Sequence, residues 1–383
     1  MVKADPQDSN NNPSDPHRGF GGTIILLCVL AIAFAGSMQF VQNYRQRSII
    51  YQLLGKVEVT PGWLMKILPA SWEVQIQNWY GDKCFWAFEN ITSASFLAMP
   101  LTNFDMAPLQ KLKNLPEIYI KSITVTDAGL AHLQDLTTLK ELGLWDTNVS
   151  GTGLSHLKNM RQLERLTLSY SKITDLGFAH IRSLPHLLYL DLEYTKLTDA
   201  GLIHLDGHRN LWRLNLEGTK VTGTGLVHLQ GLPNLTVLSL DESSLTDAGL
   251  KHIHGIPNLK YLHLNHTKVT DTGLIHLKGL QLIQLSLDGN NVGDDGLAHL
   301  KELVNLKHLS LQNTSVTDNG LIQLKSLTNL SWLNLEGTQI TDAGLIHLYG
   351  ISTLETVSLG RTQVTDVGTR KLKAALPGCT ISR

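Results

Sequence analysis

The chain has 383 residues, of which 42% are hydrophobic and 17% charged, with 32 Lys and Arg against 33 Asp and Glu. That length and apolar content support a large core. A formal net charge of −1 at pH 7 gives no global attraction to nucleic acid or to an anionic membrane surface, and no nucleic-acid partner is expected.

Residues 1–22 are rich in Asn, Asp, Pro, Ser and Gly. They have almost nothing to bury and read as a disordered tail. Residues 23–41, Thr23 to Val41, carry no charge. As a helix they would span roughly 28 Å, close to a bilayer core of about 30 Å. A single-pass transmembrane helix is the reading; the rival is a cleaved signal peptide, because Ala33-Phe34-Ala35 follows an apolar run. Arg18 precedes the segment, Arg45 and Arg47 follow it, and the side of the membrane stays open. Residues 45–100 hold Trp63, Trp72, Trp79, Phe85, Trp86 and Phe88. This bulky apolar surface suits a cap over the first repeat of a stack, with a separate small binding module as the alternative. Cys28, Cys84 and Cys379 lie too far apart along such a stack for an internal disulfide.

From residue 101 onwards one phrase recurs: an apolar run, Thr or Ser, an aliphatic residue, then Thr-Asp-x-Gly-Leu. Its glycine falls at Gly129, Gly153, Gly177, Gly201, Gly225, Gly249, Gly273, Gly296, Gly320, Gly344 and Gly368, a step of 24 residues except for 23 between Gly273 and Gly296. Thr102-Asn103 stands 24 residues before Thr126-Asp127 and begins a degenerate copy. Cys379-Thr380-Ile381 reads as a last strand. A fixed period of this length predicts a solenoid. In each copy a Leu-x-x-Leu-x-Leu run alternates as a short strand, and the following phrase starts a short helix. The Thr-Asp pair is expected to cap that helix. Strands stack at about 4.8 Å and helices at about 8–10 Å, so the strands line the inner side of the arc.

The unit resembles a leucine-rich repeat of the 24-residue kind, with Thr or Ser at Thr147, Ser171, Thr195 and their equivalents where many such families place Asn. The resemblance implies a hydroxyl ladder bonding the next turn. The fold class is α/β: a leucine-rich repeat solenoid over 101–383, with a curved parallel sheet on the concave side, short helices on the convex side and a C-terminal cap, after an N-terminal transmembrane helix. With tail, anchor and aromatic cap included, the layout resembles bacterial membrane-anchored leucine-rich repeat proteins, which implies little about function.

Two constellations invite chemistry and are read as structural. His132, His156, His180, His204, His228, His252, His276, His299 and His347 stand three residues after the repeat glycine. No Cys, Asp or Glu recurs beside them to complete a metal site. The run from Asp288 to Gly296 begins like a calcium loop but lacks the third ligand and the closing Glu. No catalytic or nucleotide-binding motif is present, and neither enzymatic activity nor a cofactor is expected.

The outward strand positions form three columns that mix acids with aromatics, as recognition surfaces do. The expected binding residues are Tyr189, Arg213, Tyr261 and Trp332 from the first column, Asp191 from the middle one, and Glu193, Glu217, Asp241, Asp288 and Glu336 from the third. The expected role is protein–protein recognition through the concave face, with a protein or peptide partner of basic character. The alternatives are an envelope component without a specific ligand, or a degradation adaptor related to F-box-type repeat proteins.

Overall fold

The computed structural model describes residues 94–96, 101–111 and 113–383. Contacts divide the chain into two units, Met1–Phe96 and Leu97–Arg383. Of the first, only the strand β1 (Ala94–Phe96) is described. The expected tail and transmembrane segment, and nearly all of the expected cap over 45–100, lie outside the described residues. Among the described residues, no helix is long and apolar enough to cross a membrane.

The second unit carries strands β2 (Glu117–Lys121), β3 (Glu141–Trp145), β4 (Arg165–Thr167), β5 (Tyr189–Asp191), β6 (Arg213–Asn215) and β7 (Val237–Ser239). They continue as β8 (Tyr261–His263), β9 (Gln284–Ser286), β10 (His308–Ser310), β11 (Trp332–Asn334), β12 (Thr356–Ser358) and β13 (Thr380–Ser382). They follow one another in sequence order in one parallel sheet. The register is repeat on repeat: Tyr189 pairs with Arg213, Leu190 with Leu214 and Asp191 with Asn215. The one short repeat keeps it, Tyr261 pairing with Gln284. Its missing residue falls in the loop before β9, where Gln281 alone separates Leu280 from Leu282 and other copies, such as Ile256 to Leu259, have two residues. The final strand expected at 380 is β13.

Each repeat buries the same set of side chains. In the copy around β5, Leu187, Leu190, Leu192, Leu197, Leu202 and Leu205 are all 0% exposed. Full burial of one such side chain is worth about 1.5–3 kcal/mol, and neighbouring repeats must stack to achieve it. The outer side consists of 3-10 and short α turns, such as Asp199–Leu205 and Asp247–Leu250.

The Thr-Asp pair works differently from the expected helix cap. The aspartate reaches forward into the next repeat. Asp175 accepts from the Thr198 N–H at 2.9 Å and hydroxyl at 2.7 Å. Asp199, Asp247, Asp294, Asp318 and Asp342 do the same to Thr222, Thr270, Thr317, Thr341 and Thr365. Asn103 stands in the aspartate's place, accepting from the Thr126 N–H at 2.9 Å but donating its amide to the Thr126 hydroxyl at 2.7 Å, so the degenerate first copy belongs to the same ladder. Only the threonine caps its own turn, as Thr198 does for Ala200 and Thr365 for Val367 and Gly368. The physical reason is proximity. The turn before each helix lies against its counterpart in the next copy, so a charged acceptor meets orphan N–H groups there first.

This ladder also explains the repeat glycine, whose backbone is not left-handed. A Cβ on Gly225 would stand 2.5 Å from the Asp199 carbonyl oxygen, and one on Gly344 would stand 2.2 Å from Asp318 Oδ1. Gly151 and Gly223 replace the aspartate in two copies, with φ of 110° and 104°. There the backbone carbonyls of Ser150 and Thr222 receive the next threonine's N–H, each at 3.2 Å.

The Thr/Ser column also departs from its expected role. The hydroxyls of Ser171, Thr195, Thr219 and Ser243 donate to carbonyls three residues back in their own turn. Thr267 Oγ1 bonds the Leu264 carbonyl of its own turn at 3.0 Å and also meets Asn290 of the next repeat at 3.1 Å. Asn290, with a longer side chain, does bridge repeats: it donates to the Leu264 carbonyl at 2.7 Å and accepts from the Thr267 N–H at 2.8 Å.

Candidate binding surface

The three expected columns lie in register along the sheet. First-column residues run Glu117, Glu141, Arg165, Tyr189, Arg213, Val237, Tyr261, Gln284, His308, Trp332 and Thr356. The backbone ladder continues into the third column beyond the strands: Tyr194 N–H donates to the Glu217 carbonyl at 2.7 Å, and Gly218 N–H to Asp241 at 2.8 Å.

Of the ten expected residues, Tyr189, Asp191, Glu193, Arg213, Glu217 and Asp241 fall on three neighbouring strands and their extensions, β5 to β7. Tyr261 follows on β8, whereas Asp288, Trp332 and Glu336 stand further along, beside β9 and β11. Their surroundings divide the roles. Asp191 is only 7% exposed and accepts from the Glu193 N–H at 3.1 Å and the Tyr189 hydroxyl at 3.3 Å, so it positions its neighbours. The Tyr189 ring lies between two guanidinium groups, Arg165 at 4.7 Å and Arg213 at 5.6 Å from its centroid. Asp241 and Asp288 each accept the backbone N–H of the following repeat, from Asn265 at 2.6 Å and Gln312 at 2.8 Å. Glu336 is paired with Arg361 at 3.0 Å. Trp332 meets the edge of His308, with centroids 6.4 Å apart.

A fourth column went unread in the sequence. Immediately after the third, the chain turns through a left-handed residue in each repeat from β3 to β12: Asp146, Tyr170, Tyr194, Gly218, Glu242, His266, Gly289, Asn313, Gly337 and Arg361, with φ from 50° to 70°. Glycine fits such a turn without strain, and bulky residues there store it. Gly218, Gly289 and Gly337 were the signal that could have revealed the column. At Tyr170 and Tyr194 the turn holds two rings stacked at 4.9 Å. Tyr170, 49% exposed, donates to Glu193 at 2.9 Å, and Tyr194 donates to Glu242.

The cluster is therefore Glu193, Glu217, Asp241 and Glu242 around a tyrosine pair. Burial and the neighbouring charges of Glu193, Asp241, Glu242 and Asp191 push Glu217 up to about 7. Burial, with the Asp288 charge adding to it, pushes Asp241 up to about 6, although the Asn265 N–H and amide and His266 oppose this. Burial raises Glu193 as well. The tyrosines stay neutral donors: burial and the Glu193 hydrogen bond push Tyr170 up to about 12, and the Glu242 hydrogen bond raises Tyr194. Burial, and then Arg213 or Lys307, lowers His263 and His308, so these two histidines do little to offset the acids.

Each histidine three residues after the repeat glycine is followed by a buried Leu or Ile. Nδ1 of His204 and of His347 is buried without a hydrogen-bond partner. Among the described residues, no group of three or more His, Cys, Asp or Glu is arranged to hold a metal ion. In the calcium-like run, Asp288 and Asp294 are both engaged by the next repeat.

Residues 137–197, 161–221 and 209–269 match a family model described as leucine rich repeat. Comparison with curated proteins returns no match. Among solved structures, an internalin from Listeria monocytogenes is 21% identical with a TM-score of 0.60, over 84% of this chain and 97% of its own. A leucine-rich repeat protein from Leptospira interrogans is 18% identical with a TM-score of 0.55, over 77% of this chain and 84% of its own. At such identities the likeness is one of fold. Over residues 137–269, where the family model matches, the repeating units are leucine-rich repeats, and the chain has the same kind of solenoid fold as these two proteins.

Proposed function

We propose that the solenoid is a recognition module, without catalytic activity, that binds a basic protein or peptide on its concave face and is tethered by residues 23–41. The observation that carries the reading is the set of carboxylates on adjacent repeats, Glu193, Glu217, Asp241 and Glu242, beside exposed Tyr170. Strands about 4.8 Å apart bring successive carboxylates within one Debye length, about 8 Å at physiological salt, so their fields add. Such a field favours Lys- or Arg-rich partners and speeds their association. Trp332 and Tyr261 supply apolar anchors along the same face.

The test uses a partner captured by cross-linking the intact protein in its own membranes. Glu193→Lys with Glu217→Lys should slow association and weaken its salt dependence. Trp332→Ala should mainly speed dissociation. If these leave binding intact while the convex change His204→Ala abolishes it, the wrong side of the solenoid has been chosen. The tether is tested by carbonate extraction and by sizing the mature chain; a soluble product beginning near Gly36 would refute it.

A further inference from the structure

The opposite edge of the same face carries a local group of basic side chains beside β3 to β6. Just before β3, β4 and β5 the chain stacks Lys140, Glu164 and Leu188, with Glu164 N–H on the Lys140 carbonyl and Leu188 N–H on the Glu164 carbonyl, each at 2.8 Å. Beside them is an open groove of about 500 Å³, lined by Lys140, Arg161, Gln162, Glu164, His186 and Asn210 among others. Lys140 and Arg161 are exposed, and neither belongs to an ion pair among the described residues. Glu164 is the one acid in the lining. Between this groove and the tyrosine–acid cluster stand Arg165, Tyr189 and Arg213. Beside β3 to β6 the basic groups Lys140, Arg161 and Arg213 lie where the strands begin, with Arg165 paired to Glu141 at 3.2 Å, and the acidic cluster lies where the strands end.

We propose that the groove receives a side-chain carboxylate of the same partner whose basic side chain meets the cluster around Glu193 and Glu217. This rests on the reading of the concave face as the binding face. The partner is then an extended segment carrying both signs, crossing the strands diagonally. A monoanion fits the groove better than a phosphate, because Glu164 repels the second charge while Lys140, Arg161 and the Gln162 and Asn210 amides supply donors. The spacing follows from strand geometry. From Leu188 to Glu193 is about 16 Å along an extended chain, and two strand intervals add about 10 Å across the sheet. The diagonal of about 19 Å is spanned by five or six extended residues, at about 3.3–3.6 Å each. The acid and base of the partner are therefore about that far apart in sequence.

The experiment selects a phage-displayed random dodecapeptide library on the full-length protein in mild detergent. Enriched peptides should carry Asp or Glu about five or six positions from Lys or Arg. Lys140→Glu with Arg161→Glu should weaken a synthetic enriched peptide by about tenfold, and replacing that peptide's acid by Lys should restore much of the loss. Peptides rich only in Lys and Arg, weakened by Glu193→Lys with Glu217→Lys but indifferent to the groove pair, overturn this proposal and leave the concave reading standing. Enriched peptides indifferent to both pairs, or no enrichment at all, overturn both.

Discussion

Asp199 shows how one side chain fastens two repeats. It accepts from Thr222 N–H at 2.9 Å, Thr222 Oγ1 at 2.6 Å, Gly223 N–H at 3.0 Å and Gly225 N–H at 2.7 Å. Burial works against its charge, but these hydrogen bonds win and hold it below the usual carboxylate range. Asp199→Ala leaves these donors without their partner and should cost about 2–3 kcal/mol in urea unfolding. Gly225→Ala drives a methyl into the Asp199 backbone and should cost about 1–3 kcal/mol. Gly350 is exposed, and a Cβ there would meet nothing within 4 Å, so Gly350→Ala should stay within about 0.5 kcal/mol. A loss at Gly350 equal to that at Gly225 would mean that close packing against the aspartate is not the reason for the repeat glycine.

At the scale of elements, the last repeat needs something to cover it. The closing helix Asp366–Ala375 is the longest in the second unit, and Thr365 caps it through the N–H groups of Val367 and Gly368. It buries Leu372 completely, and Lys373 Nζ donates to the Cys379 carbonyl at 2.7 Å, tying the helix to β13. Leu372→Ala should therefore cost about 2–5 kcal/mol and loosen the C-terminal strands first. Hydrogen exchange checks this: β12 and β13 should lose protection well before β5. Uniform loss along the sheet would mean that the stack opens as one unit.

For the whole molecule, pH acts through two opposed groups of carboxylates. Glu217 and Asp241 have folded pKa values of about 7 and about 6. Both lie above the ordinary carboxylate range, so the unfolded chain binds fewer protons than the folded one between about pH 4 and 7, and stability falls as pH rises through that window. Asp127, Asp199 and Asp247 are held below their ordinary value, and their contribution is lost as pH falls through it. The melting temperature should therefore peak near pH 5. Glu217→Gln should raise it by about 2 °C at pH 8 and leave it unchanged at pH 5. Binding has the opposite slope: association with a basic partner should weaken from pH 7.5 to 5.5 as Glu217 and Asp241 take up protons. An affinity that rises over that interval would contradict the acidic reading of the face.

The 24-residue period and the Leu-x-x-Leu-x-Leu runs were enough to determine the solenoid, the register of β2 to β13 and the three strand columns, because a stacked parallel sheet places equivalent residues side by side. The same pattern named Tyr189, Glu193 and Glu217 as neighbours. It could not show that Arg165 and Arg213 flank Tyr189, that Asp191 is buried, or that Arg361 is paired with Glu336, because those depend on side-chain reach across the sheet. It also assigned the repeat aspartate to its own helix, whereas the nearest orphan N–H groups belong to the next copy. The left-handed column was marked in the sequence only by Gly218, Gly289 and Gly337, and the meeting of Tyr170, Tyr194 and Glu242 there was decided by tertiary structure. The backbone must turn out of the sheet at that residue, and that turn brings the two rings and the carboxylates of separate repeats together.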